Sequence, residues 1–306
     1  MISVILATFN GENSLSITFD SFIQMDIPHC GWEILVIDNA SRDKTREIIE
    51  SYQDRLPITY IYHPLKGKNF ALNKALDDAK GDLFVFTDDD VIADQNWLIE
   101  LENAANAHKD FYVFGGKIEA EWPYQPTAWL LENVQLGVVY AVSNDKWQTG
   151  PIDPIHVMGA NMAVRSSIFD KGLKFETSIG PNGGNYAMGS ETEFTCRLAG
   201  LGYQSFYVKS AVVKHIIRRH QLDIDWILGR AFKFGRGSYC RENNIADLPN
   251  VAKILGIPRW MLIRVIKLWI AYWAKLIFET REQRFKISWE LQYLKGYVYQ
   301  AWIARC

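Results

Sequence analysis

Paired cysteines are missing from this chain. Its four, Cys30, Cys196, Cys240 and Cys306, lack zinc-site spacing and are too sparse for a disulfide scaffold, so free thiols in a reducing cytoplasm are expected. Long apolar runs are missing as well. Arg264, Lys267 and Lys275 interrupt the most hydrophobic stretch, and nothing reaches the roughly eighteen apolar residues of a membrane span. The opening run, Ile2 to Ala7, has neither the basic start nor the cleavage region of a signal peptide, so export by that route is not expected. No G-x-G-x-x-G follows that run, which argues against a dinucleotide oxidoreductase. A formal net charge of -2 gives no sign of a nucleic-acid partner.

What is present is enough for a large core. The 306 residues are 48% hydrophobic, sufficient for one large α/β domain and an appendage. Charge is distributed unevenly. Residues 257 to 306 carry nine Lys/Arg and three Glu, a charge of +6, which leaves 24 basic and 32 acidic residues, or -8, in residues 1 to 256.

Ile2 to Ala7, Glu33 to Ile37, Ile58 to Tyr62 and Leu83 to Phe86 are short runs rich in β-branched and aromatic residues and read as buried strands. Helix-like stretches at about 13 to 25, 42 to 54 and 68 to 80 separate them, with Ser41 and Asp43 as capping chemistry for the second. The alternation predicts a largely parallel sheet covered on both faces. Ligands of such sheets sit beyond the carboxyl ends of the strands. Thr8 to Gly11, Asp38 to Ala40 and Thr87 to Asp90 fall at those ends.

Beyond residue 111 the pattern is mixed. It includes strands at Tyr112 to Ile118 and Asn161 to Arg165, a Gly/Asn-rich loop from Gly180 to Gly189, and helices at 190 to 200 and 222 to 242. The expected division is a catalytic domain over 1 to 245 and a basic helical region over 246 to 306. On a helix, residues 258 to 278 place Arg259, Arg264, Lys267 and Lys275 in one half. Met261, Leu262, Val265, Ile266, Leu268, Trp269, Tyr272, Trp273 and Leu276 occupy the other. Such a helix suits an anionic membrane surface or docking on protein, and both readings stay open.

Three adjacent carboxylates, Asp88, Asp89 and Asp90, repel one another after an apolar strand. A bound hard cation such as Mn2+ or Mg2+ relieves the repulsion and bridges carboxylates to phosphate oxygens. The plain alternative is a solvated acidic turn. Gly229 to Arg236 holds Arg230, Lys233 and Arg236, a basic helix suited to a diphosphate or simply an exposed face.

Together, Ser3 to Asn10, Ile34 to Ser41, Lys68 to Asn73 and Thr87 to Asp90 resemble, in order and spacing, the family 2 glycosyltransferases. The resemblance runs from Ile2 to about Tyr239 and implies the nucleotide-sugar-binding fold called GT-A, of the type found in bacterial polysaccharide synthesis. It implies that Ala7, Thr8 and Asp38 meet the base and ribose, that Lys68 or its neighbours lie near the base, and that Asp88 and Asp89 face the donor. By the same resemblance, Asp90 holds the metal, and Gly159 to Arg165 sets Gly159 and Asn161 beside the donor sugar. His215 resembles the late histidine that completes metal coordination, with His220 as its alternative. Gly189 to Phe194 looks like the acidic acceptor-site helix, but the family usually has Glu-Asp where Ser190 and Glu191 stand. Register gives Glu191 the role of general base, with Glu193 as the alternative.

The implied reaction is inverting transfer from a nucleoside-diphosphate sugar, with UDP named first, to a saccharide or lipid-linked saccharide acceptor. A cytoplasmic enzyme, peripheral on the inner face of the plasma membrane, is the corresponding expectation. A sugar nucleotidyltransferase is the rival, disfavoured because residues 8 to 14 hold only Gly11 and no Lys or Arg for a phosphate loop. An inactive nucleotide-sugar-binding relative is the other.

Overall fold

The computed structural model describes residues 1–184, 186–244, 253–254, 257–276 and 278–304. In chain order the first elements are β1 (Ile2–Thr8), α1 (Leu15–Ile23), β2 (Trp32–Asp38), α2 (Thr45–Tyr52), β3 (Ile58–Tyr62), α3 (Lys68–Ala75), β4 (Leu83–Thr87), β5 (Val91–Ala93), α4 (Trp97–Ala107) and β6 (Phe111–Glu121). They are followed by α5 (Ala128–Asn133), α6 (Leu136–Tyr140), β7 (Gly150–Ile152), β8 (Met162–Arg165), α7 (Ser190–Gly200), β9 (Gln204–Ile216), α8 (Ile224–Asn244), β10 (Lys253–Ile254), β11 (Ile257–Pro258), α9 (Arg259–Lys275) and α10 (Phe285–Ile303). These form two compact units. The first comprises Met1–Tyr124, Tyr140–Thr177 and Glu191–Ile217, and the second Gln125–Val139, Ser178–Ser190 and Arg218–Cys306.

Unit one is a nine-stranded mixed sheet in the order β3-β2-β1-β4-β8-β6-β9-β5, with β7 on β9. Strands β3, β2, β1 and β4 are parallel, as the alternating strand and helix runs predict, and β8 enters antiparallel between β4 and β6. Every residue of β4 and all but one of β1 are buried, because helices cover both faces. Period-two alternation divides β1 between two cores: Val4 and Leu6 pack with Phe19 and Trp97, while Ile5 packs with Ala71, Leu72 and Phe86. Strand order reverses at β1, with β2 on one side and β4 on the other. Their carboxyl ends form the topological switch at which α/β sheets bind ligands.

Unit two is helical. Helices α8 and α10 approach closely at Gly235 and Gly296, where an added Cβ would strike the backbone of Tyr293 or Phe232 respectively. Phe234 packs tilted against Tyr293 with centroids 5.5 Å apart, and Tyr239 meets Tyr297 edge-on at 5.3 Å. In this packing α8, expected within residues 1 to 245, groups with the C-terminal helices. The boundary expected at 245/246, and Ile277 and Cys306, lie outside the described residues. Cys30 is an exposed free thiol.

Helix α9 has two apolar faces where one was expected. Met261 is buried with Leu294 and Tyr297, and Leu262, Val265 and Leu268 pack beside it. Trp260, Ile263, Ile266, Trp269, Ile270 and Trp273 are each more than half exposed. Docking on protein thus uses only one side of the helix. Among the described residues, no helix is long and apolar enough to cross a membrane.

Candidate active site

The loops after β1 and β2 are interlocked by polar contacts. Asn10 N donates to Ser41 Oγ at 2.9 Å, Arg42 N to Asn10 Oδ1 at 3.0 Å and Gly11 N to Thr45 Oγ1 at 2.8 Å. Asn10 and Ala40 adopt positive φ of 54° and 65°, so both turns hold non-glycine residues in the costly left-handed region. Asp38 is buried at the end of β2. Its Oδ1 accepts from Ser41 N at 2.8 Å and its Oδ2 from the Tyr60 hydroxyl at 3.0 Å. Burial and that carboxylate push the Tyr60 hydroxyl up to about 12. Asn39 donates to Leu65 O at 2.6 Å and accepts from Gly67 N at 2.7 Å, which fixes the approach to α3.

The acid cluster occupies the turn from β4 into β5. Thr18 Oγ1 on α1 donates to Asp89 O at 3.1 Å and accepts from Val91 N at 3.2 Å, holding the turn from below. The Thr8 hydroxyl donates to the Asp89 carboxylate. At the other end of the cluster, Lys68 at the start of α3 joins Asp88 Oδ1 at 2.6 Å and Glu191 Oε1 at 3.0 Å. Burial works against the Lys68 charge, but these two carboxylates outweigh it and raise its pKa above the ordinary lysine value. Glu191 stands in the first turn of α7, and its side chain lies against Gly159 so closely that a Cβ there would come within 2.5 Å of Oε1. Only glycine leaves that carboxylate its place.

Strand pairing brings Asp90 to His215. Val91 on β5 faces His215 on β9, and Ile216 N donates to Asp90 O at 2.8 Å, so residues 125 apart in sequence become neighbours. His215 Nε2 is 3.4 Å from Asp90 Oδ1, and Nδ1 is 2.7 Å from the Tyr140 carbonyl. A carbonyl only accepts, so Nδ1 carries a proton, and Nε2 faces Asp90 as a donor when the ring is protonated and with its lone pair when it is neutral. Burial lowers the pKa of His215, whereas Asp90, Asp88 and the Tyr140 carbonyl raise it, and the net shift is upward.

A carboxylate and an imidazole braced from behind make a donor set suited to Mn2+ or Mg2+. Among the described residues, no three His, Cys, Asp or Glu side chains form a closed metal cage. Two protein ligands fit a cation that takes its remaining oxygens from phosphate and water.

The expected site residues therefore separate. Lys68 links Asp88 to Glu191, whose side chain lies against Gly159, while Thr8 meets Asp89 and Asp90 meets His215. Lys68 bridges carboxylates, a position that the expectation of a base contact did not include. Ala7 is partly buried beside Ile37, and Thr8 and Asp38 are buried with their polar atoms already hydrogen-bonded. Asn161 is a correction. It is fully enclosed, its Oδ1 accepts from Trp97 Nε1 at 2.8 Å and its Nδ2 donates to Lys117 O and Ala211 O, each at 2.9 Å. Its amide ties α4, β6 and β9 together, which leaves it unsuited to facing a donor sugar. Glu193 is buried and held by Arg197 at 2.8 and 3.1 Å, whereas Glu191 meets Lys68. His220 is exposed beside Trp226, 6.3 Å between ring centroids. Tyr60 and Thr18 were not identified from sequence: each lies within an element rather than at a strand end, and neither carries a motif of its own.

Comparison with known proteins identifies the family and the fold. The sequence profile of Glycosyl transferase family 2 matches residues 3–172. The chain is 22% identical over 265 residues to glycosyltransferase AglE of Haloferax volcanii, covering 86% of this chain and 80% of that protein. The mannosyltransferase PcManGT of Pyrobaculum calidifontis, solved with GDP-Man and Mn2+, superposes with a TM-score of 0.65 at 17% identity, over 99% of this chain and 87% of that one. S. aureus TarS 1-349, solved with UDP, superposes with a TM-score of 0.55 at 15% identity, over 99% and 91%. The fold is therefore of GT-A type, with additional C-terminal helices. With more than half of its length matched by the profile, this chain belongs to glycosyl transferase family 2.

Proposed function

We propose that this glycosyltransferase moves a sugar from a nucleoside-diphosphate sugar, UDP-sugar being named first, to an acceptor hydroxyl by single displacement with inversion. The observation that carries the reading is Lys68 held between Asp88 and Glu191 beside the Asp90–His215 pair. An acceptor hydroxyl is a weak nucleophile until a base takes its proton in the transition state. Glu191 is assigned as that base, because its carboxylate stands in the first turn of α7 and is tied through Lys68 to the acidic turn. Lys68 also fixes the carboxylate in place, since a misplacement on the order of 1 Å costs rate. Asp90 and His215 are assigned to hold Mn2+ or Mg2+, and Asp88 and Asp89 to the donor side. When bound, the cation neutralises charge on the departing diphosphate. Thr8 and Asp38 are assigned to the nucleotide, each keeping acceptor lone pairs beyond its present bonds.

The acceptor is proposed to be a saccharide, lipid-linked and presented at an anionic membrane surface. The exposed Trp and Ile face of α9, with Arg264, Lys267 and Lys275 along its border, supports that part. Family membership argues against the nucleotidyltransferase rival. An inactive relative is the second reading, favoured by Ser190 where the family usually has an acid.

A thermal-shift screen of UDP, GDP and dTDP and their sugars, with and without Mn2+, tests the donor assignment. Stabilisation by one diphosphate that vanishes in EDTA is expected. Equal stabilisation in EDTA would remove the metal from the reading, and absence of transfer to any acceptor despite binding would favour the inactive relative.

A further inference from the structure

Unit two holds a cluster of positive charge for which the proposed reaction has no use. Helix α8 carries Arg230, Lys233 and Arg236 three residues apart, along one side. The Lys233 ammonium sits 4.4 Å from the centre of the Tyr186 ring, and Arg230 Nη1 lies 3.3 Å from the Tyr186 hydroxyl. Met188 N donates to Lys233 O at 3.1 Å, which fastens the loop bearing Tyr186 onto the helix. Arg230 also reaches Val138 O at 3.5 Å and the Trp226 ring at 5.6 Å, yet its Nε is buried without a hydrogen-bond partner. Among the described residues, neither Arg230 nor Lys233 is ion-paired to a carboxylate.

An exposed basic face would leave these groups in water, but they are half-buried. A purely structural role would supply a carboxylate, because uncompensated like charges in a partly desolvated place repel. Burial, together with Arg230 and Arg236, lowers the Lys233 pKa, the expected consequence of a missing counter-charge. The missing partner is thus an anion with several acceptor oxygens and about two charges, which matches phosphate: a guanidinium fork, a point-charge ammonium and a phenol donor.

We propose that Tyr186, Arg230 and Lys233 form a binding site for a phosphate or diphosphate ester, with Arg236 strengthening its field. The site itself stands on unit two alone. Only its two candidate sources, the nucleoside diphosphate of the donor or a lipid phosphate carrying the acceptor, rest on the reading given under Proposed function.

The test is a calorimetric titration of pyrophosphate into the full chain in EDTA, where the metal-free aspartate cluster repels anions. The wild type is expected to bind, and Arg230→Gln and Lys233→Met each to bind about tenfold or more weakly. Lys233→Arg is expected to restore binding, which a misfolded variant would not allow. Ligand-free Lys233→Met should melt no lower than the wild type, since it removes repulsion. UDP with Mn2+ and a short-chain prenyl phosphate form two further arms. Loss confined to one assigns the site to that source, and loss in both assigns it to the phosphate group they share. No binding by the wild type, unchanged pyrophosphate binding in the variants, or loss in neither arm overturns the proposal. Asp90→Asn run in parallel separates the two readings: if it binds UDP with Mn2+ like the wild type, the metal assignment fails while the pyrophosphate result still decides this site.

Discussion

The two units treat polar groups in opposite ways. In unit one the buried polar side chains of the candidate site are bonded to one another: Thr8 to Asp89, Asp38 to Ser41 and Tyr60, Lys68 to Asp88 and Glu191, Asn161 to three partners. In unit two, among the described residues, the half-buried Arg230 and Lys233 have no carboxylate partner, and six large apolar side chains of α9 face outward. Satisfied networks pre-organise a site before substrate arrives. Unsatisfied charge and exposed apolar surface are retained where something outside the chain is to be met. The difference separates a unit whose site groups are bonded among themselves from one that keeps charge and apolar surface without such partners.

The largest effect expected from breaking that comparison is at Glu191. In Glu191→Gln an amide oxygen remains for Lys68, so the bridge to Asp88 persists while the proton acceptor is lost. Sugar transfer should fall by about 10²- to 10⁴-fold, the usual contribution of a general base, with the melting temperature nearly unchanged. Steady-state transfer assays check this, and full activity in the variant would move the base elsewhere.

Asn161 tests whether unit one's polar groups are spent internally. Asn161→Leu deprives Trp97 Nε1, Lys117 O and Ala211 O of their partner, and should cost about 3 kcal/mol in a urea melt with the donor KM unaltered. A raised KM at unchanged stability would return Asn161 to the donor site.

That residue also marks the limit of what sequence discloses. The parallel half of the sheet was legible because β1, β2 and β4 are apolar runs ended by polar residues, and the strand-end position of Thr8, Asp38 and Asp88 follows from chain order alone. Asp90 beside His215 was legible only through family resemblance, since the contact depends on β5 pairing with β9 across 124 residues, from Val91 to His215. The Lys68 bridge was not legible: it requires α3 and α7 to converge on the acidic turn, and no local pattern records that. Asn161 misled because a motif gives a residue's position along the chain but not the direction of its side chain. The grouping of α8 with α10 depends on two glycines, Gly235 and Gly296, whose close approach has no periodic signature.

The smallest expected effect concerns attachment. The exposed face of α9 places Ile263, Ile266, Ile270 and Trp273 between the packed face and a border of Lys267, Arg264 and Lys275. Each basic residue near an anionic bilayer contributes about 1 kcal/mol, so Lys267→Gln should weaken partition to phosphatidylserine-containing vesicles about fivefold. Its exposed position predicts a stability change within about 0.5 kcal/mol. Raising the salt should shrink the difference between variant and wild type, and neutral vesicles should abolish it, because only the charged component is screened. Sedimentation of the full chain with vesicles measures all three. Equal partition of variant and wild type at low salt would mean that Lys267 takes no part in meeting lipid, and no partition of either would mean that the outer face of α9 does not meet this bilayer.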